Sequence, residues 1–183
     1  MNGNLLSTLW PQSQVLHKAV IVGLGVVLLT LASKVQVPFW PVPMTLQLLA
    51  VLMIGATAGA RLGGATVLAW LALGAMGAPV FATGAGLAYM AGPTGGYLAG
   101  FLAAAVVVGY LADKGHGRTV VSALLMLLAG VVVIYLLGLG WLANLIGAEK
   151  AIAAGLMPFI PAEILKVALG MVILTAAWKQ AKR

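Results

Sequence analysis

The chain contains no cysteine and only three acidic residues, Asp113, Glu149 and Glu163, among 183. The first absence excludes disulfides and thiolate metal sites. The two histidines, His17 and His116, sit in polar segments with no partner at metal-ligand spacing, so neither a metal nor a cofactor is expected. Gly-x-Ser-x-Gly is missing, and three carboxylates without a companion nucleophile form no enzyme constellation. The pattern G-x-x-x-x-G-K-[ST] is missing too, which excludes ATP hydrolysis through a P-loop. Charge of either sign is scarce. Charged residues make up 7% of the chain, against roughly 25% in a soluble domain, so most of its area cannot face water.

What fills the chain is apolar: 63% hydrophobic residues and a mean hydropathy of +1.13. Between Leu62 and Ala112 no Asp, Glu, Lys or Arg occurs. That is room for two crossings at about 20 residues each. In lipid every backbone polar group must bond internally, so the apolar runs predict helices. The expected architecture is all-α: a polytopic membrane protein in one domain over residues 1–183, with spans at 16–32, 45–58, 62–77, 95–112, 120–139 and 161–178. The N-terminal residues lack the basic start, short apolar run and small-residue cleavage site of a signal peptide, so the first span is expected to stay in the mature protein.

The connections carry their own information. Val37-Pro38-Phe39-Trp40-Pro41-Val42-Pro43 cannot continue a helix, because each proline lacks an N–H and restricts its predecessor. Gly59-Ala60-Arg61 predicts a tight turn. Residues 78–94 form a long loop rich in Gly, Ala and Pro and free of charge, as expected of backbone that lines or plugs a cavity. Residues 140–157 are weakly amphipathic and could lie along the interface.

The basic residues, net charge +7, are scattered singly, which fits topology better than nucleic-acid binding. With the N-terminus inside, cytoplasmic segments hold Lys18, Arg61, Lys114, Arg118, Lys179, Lys182 and Arg183. External segments hold only Lys34 and Lys150. The excess predicts both termini in the cytoplasm. The Trp40 loop, the 78–94 loop and the 140–160 segment then all open outward, which implies a site facing the exterior.

Four signals stand out against the apolar background. Glu163 falls in the first turn of the last helix, after Pro161, and Lys166 lies three residues on, on the same face. Ionisable residues at membrane depth are costly and face a bundle interior or a wet cavity. The bland alternative is a self-satisfied ion pair with Lys166 snorkelling outward. Gly92-Pro93-Thr94-Gly95-Gly96-Tyr97 lets a ligand approach the main chain, and Thr94 can cap the fourth helix. In Pro43-Met44-Thr45-Leu46-Gln47, Gln47 is an amide early in an apolar helix, suited to a ligand or to helix–helix bonding, and Thr45 or Met44 can begin that helix. Ala19 and Gly23, four apart on the first span, let another helix come close. Most tryptophans read as interfacial anchors; Trp40, in the external proline loop, is the one suited to stack on a ligand.

In this order, Pro41-Val42-Pro43-Met44-Thr45-Leu46-Gln47, Gly77-Ala78-Pro79-Val80-Phe81-Ala82 and Gly92-Pro93-Thr94-Gly95-Gly96-Tyr97-Leu98-Ala99-Gly100-Phe101 resemble BioY, the biotin-specific substrate-binding (S) component of energy-coupling-factor (ECF) transporters. The resemblance runs from the first loop to the last helix. It implies a six-helix fold that binds biotin from outside, beneath the first and third loops. Also implied are a transmembrane coupling protein and a pair of ABC-type ATPases as partners, and a multi-pass location in the bacterial cytoplasmic membrane. The implied ligand-binding residues are Glu163, Lys166, Thr83, Tyr89, Gly92, Thr94, Gly95, Gln47 and Trp40. Ala19 and Gly23 would meet the coupling protein, where the family has an Ala-x-x-x-Ala-like pattern. Two positions depart from the family: Glu163 stands where Asp is usual, and Thr83 where many members carry Asn.

Biotin offers two ureido N–H donors, one carbonyl, apolar rings and a carboxylate. Glu163 is expected to accept the ureido N–H bonds, and Lys166 to donate to the ureido carbonyl or to the carboxylate. The expected function is biotin capture with import energised by the partner ATPases. The alternatives are the same fold holding another vitamin, and a membrane scaffold or assembly protein that binds no small molecule.

Overall fold

A run of apolar residues in lipid closes its hydrogen bonds within the segment, and the computed structural model is accordingly dominated by long helices. It describes Leu5 and residues 15–181; Lys182 and Arg183, counted above for topology, lie outside the described residues. The elements are α1 (Val15–Lys34), β1 (Gln36–Val37), β2 (Met44–Thr45), α2 (Gln47–Ala75), α3 (Gly86–Met90), α4 (Gly95–Asp113), α5 (Val120–Ile146), α6 (Ala148–Gly155), a 3-10 turn (Met157–Phe159) and α7 (Ile160–Ala181). Five helical stretches, 15–34, 47–75, 95–113, 120–146 and 148–181, are long and apolar enough to cross a membrane. The chain is a multi-pass helical membrane protein.

The second and third expected spans are one continuous assignment, α2, interrupted at Gly59 by a non-helical φ of 80° and ψ of 177°. Only glycine adopts that backbone at low cost. The interruption reverses the chain: a Cβ placed on Gly63 would lie 3.1 Å from the Cα of Gly55. Eight residues apart on a straight helix those positions would be about 12 Å apart. The restarted helix begins with an unpaired N–H at Ala60, and the Asp113 carboxylate, at the end of α4, accepts it at 3.0 Å. One of the three acids is thereby accounted for as a cap.

The core lies where α2, α4 and α5 meet, with Val51, Val67, Trp70, Ala104, Ala105, Val108 and Leu127 fully buried. Apolar side chains on the outer faces, such as Leu136, Leu165 and Val172, meet lipid, which is as apolar as they are.

The structure corrects three local expectations. The proline-rich loop is held by a two-strand antiparallel ribbon, Gln36 opposite Thr45 and Val37 opposite Met44, so residues 44 and 45 are extended and α2 begins only at Gln47. The fifth helix continues to Ile146 instead of ending at Leu139; Gly138 within it lies against the Tyr97 ring, where a Cβ would not fit. Thr94 precedes α4 without making a side-chain cap.

Candidate functional site

Proline at 38, 41 and 43 forces the first loop out of helix, and the ribbon returns it to the start of α2. There the Thr45 hydroxyl accepts the Gln47 N–H at 3.2 Å and lies 3.3 Å from Gln47 Oε1. The carboxamide oxygen is thus engaged, while Gln47 Nε2 is buried with no hydrogen-bond partner among the described residues.

The charge-free third loop is held by side chains instead of a backbone ladder. Ser33 Oγ donates to the Val80 carbonyl at 2.9 Å, Lys34 Nζ to that of Phe81 at 2.5 Å, and Gln36 Nε2 to that of Ala82 at 3.4 Å. Three successive carbonyls are therefore gripped by the end of α1 and by β1. Phe81 is fixed between Trp70, edge-on at 4.9 Å, and Tyr89, stacked at 5.1 Å. Beyond α3, Trp141 Nε1 donates to the Gly92 carbonyl at 2.9 Å. That anchor exists only because α5 runs past its expected end.

Around this end of the bundle the first loop (Pro43, Thr45, Gln47), the third loop (Phe81, Ala82, Tyr89, Thr94), α4 (Tyr97, Phe101), α5 (Ile134, Tyr135) and the last segment (Phe159, Glu163, Lys166) enclose a cavity of ≈ 50 Å³. Its wall is apolar apart from a few convergent polar groups. Glu163 and Lys166 are only 7% and 8% exposed, and Lys166 Nζ donates to Glu163 Oε1 at 2.9 Å. Tyr135 OH reaches the same oxygen at 3.3 Å. Glu163 Oε2 is buried with no hydrogen-bond partner among the described residues. Two residues of the cavity wall thus each carry a buried polar atom without a partner among the described residues, one acceptor and one donor, and such an atom costs about 1–3 kcal/mol.

Of the residues singled out from sequence, the structure brings Gln47, Tyr89, Thr94, Glu163 and Lys166 together on the cavity wall. Thr83 is exposed, and its neighbour Ala82 lines the cavity instead. Trp40 is 84% exposed and is not among the lining residues. Gly92 and Gly95 shape the loop behind the wall: Gly92 accepts from Trp141, and a Cβ on Gly95 would meet the Met90 carbonyl. Ala19 and Gly23 lie on the exposed part of α1, far along the chain from its buried end at Leu29, Ala32 and Ser33. Phe81, Tyr97, Tyr135 and Phe159 also line the cavity and were not singled out from sequence, because an aromatic in an apolar run reads as core. The signal for the two tyrosines was their hydroxyls, which need partners at membrane depth.

A multi-pass helical bundle with an apolar cavity at one end and a few converging polar groups defines the class: an integral membrane protein that holds a small molecule. The comparisons make it particular. The BioY family model matches residues 5–183, and the chain belongs to the BioY family. It is 40% identical over 154 residues to the protein of Pyrococcus horikoshii named "Probable biotin transporter BioY", covering 84% of this chain and 91% of that one. With the biotin transporter BioY of Rhizobium etli it shares 39% identity over 168 residues, 86% of this chain and 87% of the other. The crystal structure of the S-component for biotin from an ECF-type ABC transporter superposes with a TM-score of 0.78 at 26% identity, covering 90% of this chain and 92% of that chain.

Proposed function

We propose that this protein captures biotin from the outer face of the bacterial cytoplasmic membrane. The observation that carries this is the pairing of an unsatisfied acceptor, Glu163 Oε2, with an unsatisfied donor, Gln47 Nε2, in one apolar cavity. A cyclic urea supplies both complements, N–H donors for the carboxylate and a carbonyl for the amide. Lys166 is paired with Glu163 at 2.9 Å and acts first by holding that carboxyl group in place. The aromatic wall of Phe81, Tyr89 and Phe159 suits fused rings. Because ligand pockets run to about 300–1,000 Å³, admitting biotin into ≈ 50 Å³ requires the first and third loops or their side chains to give way.

Six crossings with both termini inside is the topology that fits best. Gln47 begins α2 at the cavity, and Ala60 meets Asp113 at the far end of α4. That distance is about 28 Å along a 19-residue helix. Residues 47–58 supply about 18 Å of that rise as helix, so the two arms of α2 run as a helical hairpin, 47–58 toward the Asp113 end and 60–75 back. Translocation is driven by partners, a transmembrane coupling protein and a pair of ABC-type ATPases, which meet Ala19 and Gly23 on the exposed part of α1. Mass spectrometry of small molecules co-purifying in mild detergent, with titration calorimetry against biotin, tests the substrate. Saturable biotin binding is expected; preference for another vitamin, or no small-molecule binding at all, would overturn it.

A further inference from the structure

The Glu163 carboxylate stands on a partition. Besides the cavity at the loop end, Glu163 and Tyr135 both line a second, apolar space of ≈ 470 Å³ between α5 and α7, walled by Leu128, Val132, Ile160 and Val167. Glu163 thus borders both spaces, and only the first is lined by further polar side chains, Thr45, Gln47, Thr94 and Lys166. Lys166, three residues on along the same helix, grips one oxygen, but a single contact leaves the carboxyl plane free to rotate about its last bond. Tyr135 supplies a second contact from a different helix, α5, to the same oxygen, at 3.3 Å.

We propose that Tyr135 is the positioning residue for Glu163: two donors converging on Oε1 from two helices present Oε2 to the ligand cavity and not to the groove between α5 and α7. This rests on the biotin reading above and deepens it. The contact is long for a hydroxyl–carboxylate bond, so its effect is one of direction more than strength. Tyr135 is itself held. The Tyr97 ring meets it edge-on at 6.0 Å and 88°, and Tyr97 OH donates to the Gly155 carbonyl at 2.9 Å. Glycine is needed at both flanks of that ring: a Cβ on Gly155 would lie 2.6 Å from the Tyr97 oxygen, and one on Gly138 would enter the ring's edge. Recognition at Glu163 is thereby tied, through two tyrosines, to the C-terminal end of α6.

The test is a double-mutant cycle on the purified full chain, read by titration calorimetry with biotin and by melting of the ligand-free protein. Tyr135→Phe removes the hydroxyl and keeps the ring. In the wild-type background it should weaken biotin binding roughly three- to tenfold, with an unchanged melting temperature. In the Glu163→Gln background the same change should alter affinity less than twofold, because the residue it acts through is already gone. Unchanged affinity in the wild-type background, or an equal loss in both, would overturn the proposal while leaving the biotin reading intact. Failure of the wild type to bind biotin would overturn both.

Discussion

α7 turns Glu163, Lys166, Val167, Gly170, Leu174 and Trp178 into the bundle, a stripe every three or four residues that begins with an ion pair. α1, of similar length, buries only Leu29, Ala32 and Ser33, all near its C-terminal end, and residues 15–20 are exposed throughout. One helix is packed along its length and carries the cavity's charges. The other is fastened at the cavity end, where Ser33 and Lys34 grip the third loop, is half-buried on one side from Ile21 to Val26 and is bare over residues 15–20. In water a bare apolar helix would mark an interface. In lipid it marks nothing by itself, since tails solvate it as well as a partner would. The assignment of Ala19 and Gly23 to the coupling protein therefore rests on the family resemblance and not on their exposure.

The contrast is broken most severely at the α7 pair. Lys166→Met alone leaves a buried, uncompensated carboxylate and should cost about 3–5 kcal/mol of stability, together with biotin binding. The double variant Glu163→Gln with Lys166→Met removes both charges and should recover much of the melting temperature, because no uncompensated charge is left buried and the new amide can still accept from Tyr135. Its biotin affinity should stay at least ten- to a hundredfold down, the loss of one or more hydrogen bonds to a charged group. Full affinity in the double variant would reduce the pair to an internal staple.

A middle-sized effect is expected on α1. A Cβ on Gly23 meets nothing within 4 Å, so Gly23→Trp should leave folding and biotin affinity unchanged. In vesicles containing the coupling protein and ATPases, the same variant should lower ATP-driven uptake severalfold. Equal uptake would remove the coupling role from this face. The smallest effect is expected at Trp40. With that side chain 84% exposed and off the cavity wall, Trp40→Ala should change affinity less than twofold; a tenfold loss would mean that the first loop folds over the ligand when it binds.

Legibility in the sequence follows the same contrast. Glu163 and Lys166 were readable because a charge in an apolar run has few places to go, and Gln47 for a weaker version of that reason. The reversal at Gly59 was readable from Gly-Ala-Arg between two apolar runs. Tyr97 and Tyr135 were not readable as residues of the cavity wall, since that placement depends on which helices meet, not on their neighbours in sequence. The length of α5 was hidden by Gly138, a close-packing position under Tyr97 that looks like a helix end in one dimension. Thr83 and Ala82 differ by one position in the third loop, and an irregular loop has no period from which the inward residue could be deduced.

The central claim, that biotin occupies the cavity bounded by the first and third loops and α7, can be tested through the chain's lack of native cysteine. Thr94→Cys places a thiol on the cavity wall at a partly exposed position, and Met76→Cys places one at an 83% exposed position off that wall. The measurement is the rate of labelling by a small water-soluble thiol reagent, with and without saturating biotin. Biotin should slow labelling at position 94 at least severalfold and leave position 76 unchanged. Equal rates at position 94 with and without biotin, under conditions where calorimetry shows the ligand bound, would contradict the account.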